Sequence, residues 1–162
     1  MKFKSGLVME FESPQMQEIM ETVQKLASAR SDAKILITGE SGVGKEPLAR
    51  AIHDLSYRAD YPFVTINCGG YTETLLQSEF FGHVRGSFTG SYRDKPGKLK
   101  QANNGTAFLD EIGDTPMLLQ TMLLRFLQSG EIQKVGSDDV EMVDVRIIAA
   151  TNYDLEERTR AK

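Results

Sequence analysis

The chain has 162 residues, of which 40% are hydrophobic and 26% charged, so it is long enough for one domain with a layered core. No apolar run approaches the roughly 18 residues that a membrane span requires, and the first residues lack the apolar stretch of a secretory signal. We therefore expect a cytoplasmic address and no membrane contact. A single cysteine and two histidines exclude a disulfide scaffold and favour no zinc site. The net charge of −4 argues against binding of nucleic acid by this chain itself.

The first predicted elements are a helix, a strand and a second helix. Ser13-Pro14 has the side chains that begin a helix, and the apolar spacing that follows predicts a half-buried helix to about residue 28. Residues 34–38 form a short apolar run that ends at Gly39, which is typical of a buried strand leading into a glycine loop. The next helix carries Pro47 in its first turn, where proline removes no intrahelical hydrogen bond.

Three further strands are predicted at residues 63–66, 106–109 and 145–150. A helix that begins at Thr72 lies between the first two, with an apolar stripe of Leu75, Leu76 and Phe80. Another helix follows Thr115-Pro116 and ends at Gly130. Strands that alternate with helices and are apolar on both faces predict an α/β fold with a parallel sheet covered on two sides.

Two segments depart from this alternation. Residues 82–91 contain glycines and a lone Phe88 but show neither helical nor strand periodicity. Residues 131–143 are typical of a short hairpin that turns at 136–139. Glycine-rich insertions of this kind within a compact domain are usually functional or disordered.

A glycine-rich loop between the first strand and the second helix predicts a phosphate site. Its residues are Gly39, Glu40, Ser41, Gly42, Val43, Gly44 and Lys45. Such a loop leaves backbone N–H groups pointing at one spot, and the lysine would reach the outer phosphates as a point charge. The alternative is a glycine turn that only caps the helix. Glu46 stands where the usual pattern has Ser or Thr, and its carboxylate would repel phosphates unless it turned away.

Polar residues follow three of the other strands. Asp110-Glu111 comes directly after residues 106–109, at the carboxyl end of the sheet where ligands bind in open α/β folds. In a P-loop ATPase the aspartate holds magnesium and the next glutamate positions the attacking water. A solvated helix start is the alternative for this pair. Asn67 and Asn152 end two other strands, where each could orient water or simply sit in a turn.

Three strings together carry a resemblance to a known family: residues 39–46, residues 105–112 (Gly-Thr-Ala-Phe-Leu-Asp-Glu-Ile) and residues 86–91 (Gly-Ser-Phe-Thr-Gly-Ser). The chain resembles the central domain of bacterial sigma-54-dependent transcription activators, also called bacterial enhancer-binding proteins, which are AAA+ ATPases. The likeness extends from about residue 13 to residue 158. This family carries glutamate after the P-loop lysine, so Glu46 fits its pattern.

The resemblance implies ATP and Mg²⁺ as ligands and assigns roles to residues. Residues 39–46, including Glu46, would bind the nucleotide, and Asp110 the magnesium. Glu111 would act on the water, with Asn67 as a switch that holds it until sigma factor is engaged. Thr151 and Asn152 would form the first sensor. The sigma-contact loop would consist of Gly86, Ser87, Phe88, Thr89, Gly90 and Ser91, with serines where the family has two alanines. The hairpin at 131–143 would be a second loop that moves with it.

The resemblance also implies a three-layer α/β/α architecture, here a partial AAA+ domain over residues 1–162 that stops before the fifth strand and the helical lid. The first strand would then lie at an exposed sheet edge. The parent protein would be an ATPase that forms a hexameric ring and remodels sigma-54 RNA polymerase, with regulatory and DNA-binding domains outside this chain. Because the family's arginine fingers follow the first sensor, the chain alone would be nearly inactive. The alternative function is a non-catalytic module that binds sigma factor.

Overall fold

The structure is a computed structural model that describes residues 1, 3–7, 13–28 and 32–153. Residues 154–158, the last part of the family resemblance, lie outside the described residues. The described helices are α1 (Pro14–Ser28), α2 (Lys45–Asp54), α3 (Glu73–Phe81), α4 (Lys98–Gln101) and α5 (Met117–Ser129). Among these helices, none is long and apolar enough to cross a membrane.

The strands are β1 (Ile35–Thr38), β2 (Phe63–Asn67), β3 (Gly82–His83), β4 (Lys95–Pro96), β5 (Thr106–Asp110), β6 (Glu131–Gln133), β7 (Val140–Met142) and β8 (Arg146–Thr151). Four of them form the central sheet in the order β1-β8-β5-β2, and every neighbouring pair is parallel. The prediction of an α/β fold with a parallel sheet is confirmed.

The side chains of β5 and β8 alternate between two separate cores. Ala107 and Ile147 belong to a core formed with α3, α4 and α5, whereas Phe108 and Ile148 belong to a core formed with α1 and α2. This alternation is the period of two that a strand imposes, and both faces are apolar because both are covered. Phe108 is fully buried, and burial of a side chain of this size contributes about 1.5–3 kcal/mol. The result is three layers, α/β/α.

Strand β1 lies at one edge of the sheet, and within the described chain its hydrogen-bonded neighbour is β8 alone. Half of the Leu36 side chain is exposed there. One predicted stripe is wrong in part, because Leu75 is exposed while Leu76 and Phe80 are fully buried. Leu76 and Phe80 are four residues apart and share one face of α3, whereas Leu75 is turned by about 100° from Leu76.

Two small antiparallel pairs, β3 with β4 and β6 with β7, stand beside the main sheet. The hairpin predicted at 131–143 is confirmed. The segment 82–91, predicted to lack periodic structure, begins instead with the two residues of β3, because Gly82 and His83 pair with Pro96 and Lys95. A parallel bridge between His83 and Val135 links the two pairs. The chain between β3 and β4 is therefore a loop tied at both ends.

The amino edge of the sheet holds three buried basic side chains. His53 Nδ1 lies 2.9 Å from Thr106 Oγ1, and burial lowers the pKa of His53. Arg58 donates to the side chains of Asp32 and Asp144, with Nε–Oδ1 and Nη2–Oδ1 distances of 3.0 and 2.8 Å. Arg146 is 1% exposed, and its guanidinium nitrogens have no hydrogen-bond partner among the described residues.

Candidate functional site

A cavity of about 250 Å³ opens at the carboxyl ends of β5 and β8 and the start of α2. Its lining residues come from the glycine loop and from the ends of these two strands: Ser41, Gly42, Gly44, Lys45, Glu46, Pro47, Asp110, Glu111 and Asn152. The cavity is mostly polar in character, and it lies where ligands bind in open α/β sheets. The structure therefore brings together residues that are up to 111 positions apart in the chain.

The glycine loop presents its backbone to this cavity. Gly42 and Gly44 have φ angles of 80° and 92°, which non-glycine residues rarely adopt. A Cβ atom on either glycine would meet no atom within 4 Å, so backbone conformation rather than crowding requires glycine there. Gly44 is followed by the first turn of α2, where unpaired N–H groups and the helix dipole favour an anion.

Lys45 is the first residue of α2 and lies over the loop that precedes it. Its Nζ donates hydrogen bonds to the carbonyl oxygens of Gly39 and Glu40, at 2.9 and 2.7 Å. Both acceptors are neutral backbone groups, whereas a phosphate oxygen is anionic and adds Coulomb attraction to the hydrogen bond. A phosphate oxygen would therefore compete well for the ammonium group.

The Glu46 carboxylate, whose charge would repel a bound phosphate, is hydrogen-bonded on the side of β2. Its Oε1 accepts a hydrogen bond of 3.3 Å from the Thr65 hydroxyl on β2. Lys98 Nζ donates to the Thr65 carbonyl at 3.2 Å and pairs with Glu79 at 3.4 Å. The Glu46 carboxylate thus has a hydrogen-bond partner on β2, while Glu46 also lines the cavity. Thr65 and Lys98 carry no motif that sequence reasoning could have used.

Asp110 and Glu111 form a tight corner at the end of β5. The Glu111 N–H donates to Asp110 Oδ1 at 3.0 Å. Glu111 adopts the left-handed conformation, with φ 55° and ψ 41°, which is uncommon for a residue with a side chain. Strain of this kind costs of order 1–3 kcal/mol and clusters at functional sites. The corner holds two adjacent carboxylates toward the same cavity.

The side chains of Asn67 and Glu111 both lie next to Gly69, and Asn67 does not line the cavity. Asn67 and Asp110 are partners in the parallel register of β2 and β5, and Asn67 Oδ1 accepts a hydrogen bond of 2.7 Å from the Gly69 N–H. A Cβ atom on Gly69 would collide with Glu111 Oε2 and lie 3.4 Å from Asn67 Oδ1. Sequence reasoning missed Gly69, although the Gly69-Gly70 pair directly after Asn67 was a signal of close backbone approach.

The remaining nucleotide and sensor candidates do not all face the cavity. Asn152 lines it, but Thr151 is fully buried and its Oγ1 accepts a hydrogen bond from the Tyr153 N–H at 3.1 Å. Gly39 and Glu40 face Lys45 through their carbonyl groups, and Val43 is 56% exposed. The predicted sensor pair is therefore split between one residue at the cavity and one in the core.

Two candidate chemistries other than nucleotide binding find little support at this edge. Burial raises the pKa of the Cys68 thiol to about 12, so the thiolate that would act as a nucleophile is scarce at neutral pH. No group of three or more His, Cys, Asp or Glu side chains in the described chain is arranged to hold a metal ion. Mg²⁺ at phosphate sites needs only one or two carboxylates, since phosphate oxygens and water complete its shell. Asp110 and Glu111 fit that requirement.

The loop predicted to contact sigma factor lies apart from the cavity. None of residues 86–91 lines it. The loop instead packs on the β6-β7 hairpin, where a Cβ atom on Gly136 would come within 2.5 Å of Ser87 Cβ. The two segments that departed from the strand-helix alternation are therefore neighbours in space.

Comparison with known proteins gives consistent results. A family model described as the sigma-54 interaction domain matches residues 9–162. The alginate biosynthesis transcriptional regulatory protein AlgB of Pseudomonas aeruginosa is 52% identical over 152 residues, which are 94% of this chain and 33% of AlgB. The transcriptional regulatory protein ZraR of Salmonella typhimurium is 50% identical, over 92% of this chain and 33% of ZraR. The chain thus spans about a third of the length of these curated relatives.

Among solved structures, the chain is similar to NtrX from Brucella abortus crystallised in complex with ATP. The TM-score is 0.83 at 37% sequence identity, and the match covers 94% of this chain and 34% of the NtrX chain. The similar part of NtrX in complex with ADP has a TM-score of 0.84 at 36% identity. The family match over nearly the whole chain, together with the similar fold, shows that this chain belongs to the sigma-54 interaction domain family of transcriptional regulators.

Proposed function

We propose that this chain is the ATP-binding AAA+ domain of a sigma-54-dependent transcription activator. The observation that carries the proposal is the cavity in which the glycine loop and Lys45 face Asp110, Glu111 and Asn152. The loop and helix start would bind the phosphates through backbone N–H groups and the Lys45 ammonium. The similar NtrX domain that was crystallised with ATP supports the identity of the nucleotide.

Magnesium would be held by Asp110, with Glu111 beside it. When bound, the metal would neutralise charge on the phosphates. Glu111 would orient the attacking water and accept its proton, because its carboxylate follows Asp110 directly and is fixed by a left-handed backbone. Asn67 would act on Glu111 through their shared contact at Gly69. Thr151 would support Asn152 from the core rather than contact the nucleotide.

Hydrolysis by this domain alone would be slow. Among the lining residues in the described chain, Lys45 is the only cation. An arginine supplied to the outer phosphate is worth about 10³ to 10⁵ in rate in enzymes of this class. Assembly into a ring, in which a neighbouring subunit offers that cation, would raise turnover. Residues 86–91 would contact sigma-54, the hairpin at 131–143 would move with them, and ATP turnover would drive remodelling of the sigma-54 RNA polymerase. DNA binding would belong to another domain.

The Glu111→Gln substitution tests the division between binding and turnover. Glutamine keeps the size of the side chain but removes its basicity, so ATP affinity should stay within about threefold while phosphate release falls by about 10² to 10⁴. Phosphate release should be measured on the longest protein that contains this domain. Equal turnover by the variant would contradict the role of Glu111.

A non-catalytic module that binds sigma factor is the second candidate, because Lys45 is the single cation at the cavity within the described chain. The two functions differ in one measurable way. A motor loses promoter activation when Glu111 is replaced by Gln, whereas a binding module keeps its effect on sigma-54 in that variant. Transcription from a sigma-54 promoter in vitro, with both proteins at equal concentration, decides between them.

A further inference from the structure

The loop between β3 and β4 closes on itself through backbone hydrogen bonds. The Gly86 N–H donates to the Ser91 carbonyl at 2.8 Å, and the Ser91 N–H donates to the Phe88 carbonyl at 3.0 Å. The Arg85 N–H donates to Asp94 Oδ1 at 2.8 Å and ties the base of the loop. The tip therefore has a defined closed conformation, and Phe88 lies within the turn that begins at Gly86 and ends at Ser91.

Ser91 adds two side-chain hydrogen bonds to this turn. Its Oγ accepts from the Phe88 N–H at 3.0 Å and donates to the Phe88 carbonyl at 2.6 Å. The side chain is 5% exposed, so water competes poorly for these bonds. Alanine at this position would provide neither of them. The Ser87 hydroxyl, by contrast, has no hydrogen-bond partner within the described chain.

The closed turn holds the Phe88 ring against the body of the domain. The ring is half-buried and meets the His83 ring edge-on, with the centroids 5.0 Å apart. His83 is itself fixed, because its Nδ1 lies 2.6 Å from Ser78 Oγ and its backbone bridges to Val135. Tyr92, just after the loop, is 86% exposed. Phe88 is thus turned inward, although it lies in a segment proposed to contact a partner.

We propose that Ser91 is a positioning residue that keeps Phe88 docked against His83, so that contact with sigma-54 through Phe88 requires this turn to open. The sigma-54 half of this inference rests on the proposed function, whereas the docking of Phe88 does not. Loss of two hydrogen bonds from one hydroxyl should shift the balance between docked and released Phe88 by about three- to tenfold toward release. A partner that binds only the released state should gain apparent affinity by up to the same factor.

The absence of tryptophan from the chain allows a direct optical test. A Phe88→Trp variant places a single indole at the docked position, and Tyr92→Trp gives the reference for an exposed one. Acrylamide should quench the first less than the second. Adding Ser91→Ala to Phe88→Trp should raise its quenching toward the reference, whereas adding Ser87→Ala, the matched control, should not. Equal quenching with and without Ser91→Ala would overturn the proposal.

Hydrogen exchange tests the same point with the native Phe88 in place. The amides of Gly86 and Ser91 bond to backbone carbonyls, so their acceptors survive the Ser91→Ala substitution. Their exchange, corrected for local sequence, should accelerate by about three- to tenfold in Ser91→Ala and stay unchanged in Ser87→Ala. Unchanged exchange in both variants would show that the Ser91 hydroxyl does not hold the turn.

Binding to purified sigma-54 completes the test and separates the two hypotheses. Without nucleotide, Ser91→Ala should bind sigma-54 more tightly than the wild-type chain, and the gain should vanish when Phe88→Ala is added. A loosened turn with no sigma-54 binding by any variant would refute the proposed partner and leave the docking role standing. Tighter binding without a loosened turn would refute the docking role instead.

Discussion

The central sheet has an edge formed by the carboxyl ends of its strands and an edge formed by their amino ends, and the charged side chains at these two edges differ in their hydrogen-bond partners. At the carboxyl edge, Lys45 bonds only to backbone carbonyls within the described chain, and Gly42 and Gly44 beside it leave open space. At the amino edge, Arg58 is 2% exposed and bonds to Asp32, Asp144, the Tyr57 hydroxyl and two carbonyl groups. The carboxyl edge keeps hydrogen-bonding capacity available for a ligand, whereas Arg58 at the amino edge uses its capacity within the fold.

Along the same strands, the amino ends carry contacts that stabilise the fold and the carboxyl ends carry the candidate ligand site. β5 begins at Thr106, which contacts His53, and ends at Asp110 in the cavity. Burial alone would lower the pKa of Arg58, but its hydrogen bonds with Asp144 and Tyr57 and the nearby negative charges raise that pKa above its ordinary value. Substitution of Arg58 at the amino edge should therefore change stability, and substitutions at the carboxyl edge should change ligand affinity.

The largest expected effect is on stability, from Arg58→Met. Methionine keeps much of the apolar volume but removes the guanidinium donor from two carboxylates and two carbonyl groups. Asp32 keeps the Tyr57 hydroxyl as a donor, and both carbonyl groups keep a backbone N–H donor. Hydrogen bonds to charged groups contribute about 1.5–3 kcal/mol each, and with the exposed carboxylates partly rehydrated we expect a loss of about 3 kcal/mol. Urea unfolding followed by circular dichroism measures this. A loss below about 1 kcal/mol would show that the cluster contributes little.

A comparably large effect, on affinity instead, is expected from Lys45→Ala. Loss of a charged hydrogen-bond donor to phosphate should weaken binding of a fluorescent ATP analogue by about 10- to 100-fold. Its control is Lys100→Ala, since Lys100 is ion-paired with Glu141 on the surface and does not line the cavity. If the two variants bound the ATP analogue with equal affinity, the nucleotide would not bind at this loop.

A smaller effect is expected from pH through His53. Burial lowers the pKa of His53 below its ordinary value of 6.5, so below pH 6.5 the unfolded chain binds a proton that the folded chain does not. The contribution of His53 to the free energy of unfolding is therefore at its full value above about pH 6.5. Below that pH the free energy of unfolding falls, by at most about 1.4 kcal/mol per pH unit. His53→Gln should flatten this slope between about pH 6.5 and 5. An unchanged slope would exclude His53 as its source.

The smallest effect is expected from Arg146→Met, the matched partner of Arg58→Met at the same edge. The Arg146 guanidinium has no hydrogen-bond partner within the described chain, and burial lowers its pKa. Replacement of a buried charge that lacks partners by an apolar side chain is often neutral or stabilising. Unfolding by urea should show a change within about 1 kcal/mol or a gain. A loss of stability as large as that of Arg58→Met would indicate that the Arg146 guanidinium has a partner, and the two arginines would then not differ.

Much of the fold could be predicted because its signals are local. Apolar runs, helix starts such as Ser13-Pro14 and the stop at Gly130 depend on residues close in the chain. The strand order and the register of Asn67 with Asp110 depend on long-range packing, and neither was predicted from the sequence. Leu75 was misassigned because adjacent apolar residues on a helix face different directions, and periodicity alone did not choose between them.

The candidate site could be predicted where a motif fixes backbone geometry, as in the glycine loop and the carboxylate corner. Contacts between distant residues carried no such signal. The hydrogen bond from Thr65 to Glu46, the crowding of Glu111 at Gly69 and the burial of Thr151 each depend on how two strands end relative to one another. Spacing along the chain does not encode that relation.

The most direct test of the central claim is to map an ATP analogue onto the chain by backbone NMR in the presence of Mg²⁺. We expect the largest amide chemical-shift changes at Gly42, Gly44 and Lys45, smaller ones at Glu111 and Asn152, and almost none near Arg58 and Arg146. Shifts centred on the amino edge, or no saturable shifts at the glycine loop, would contradict the claim.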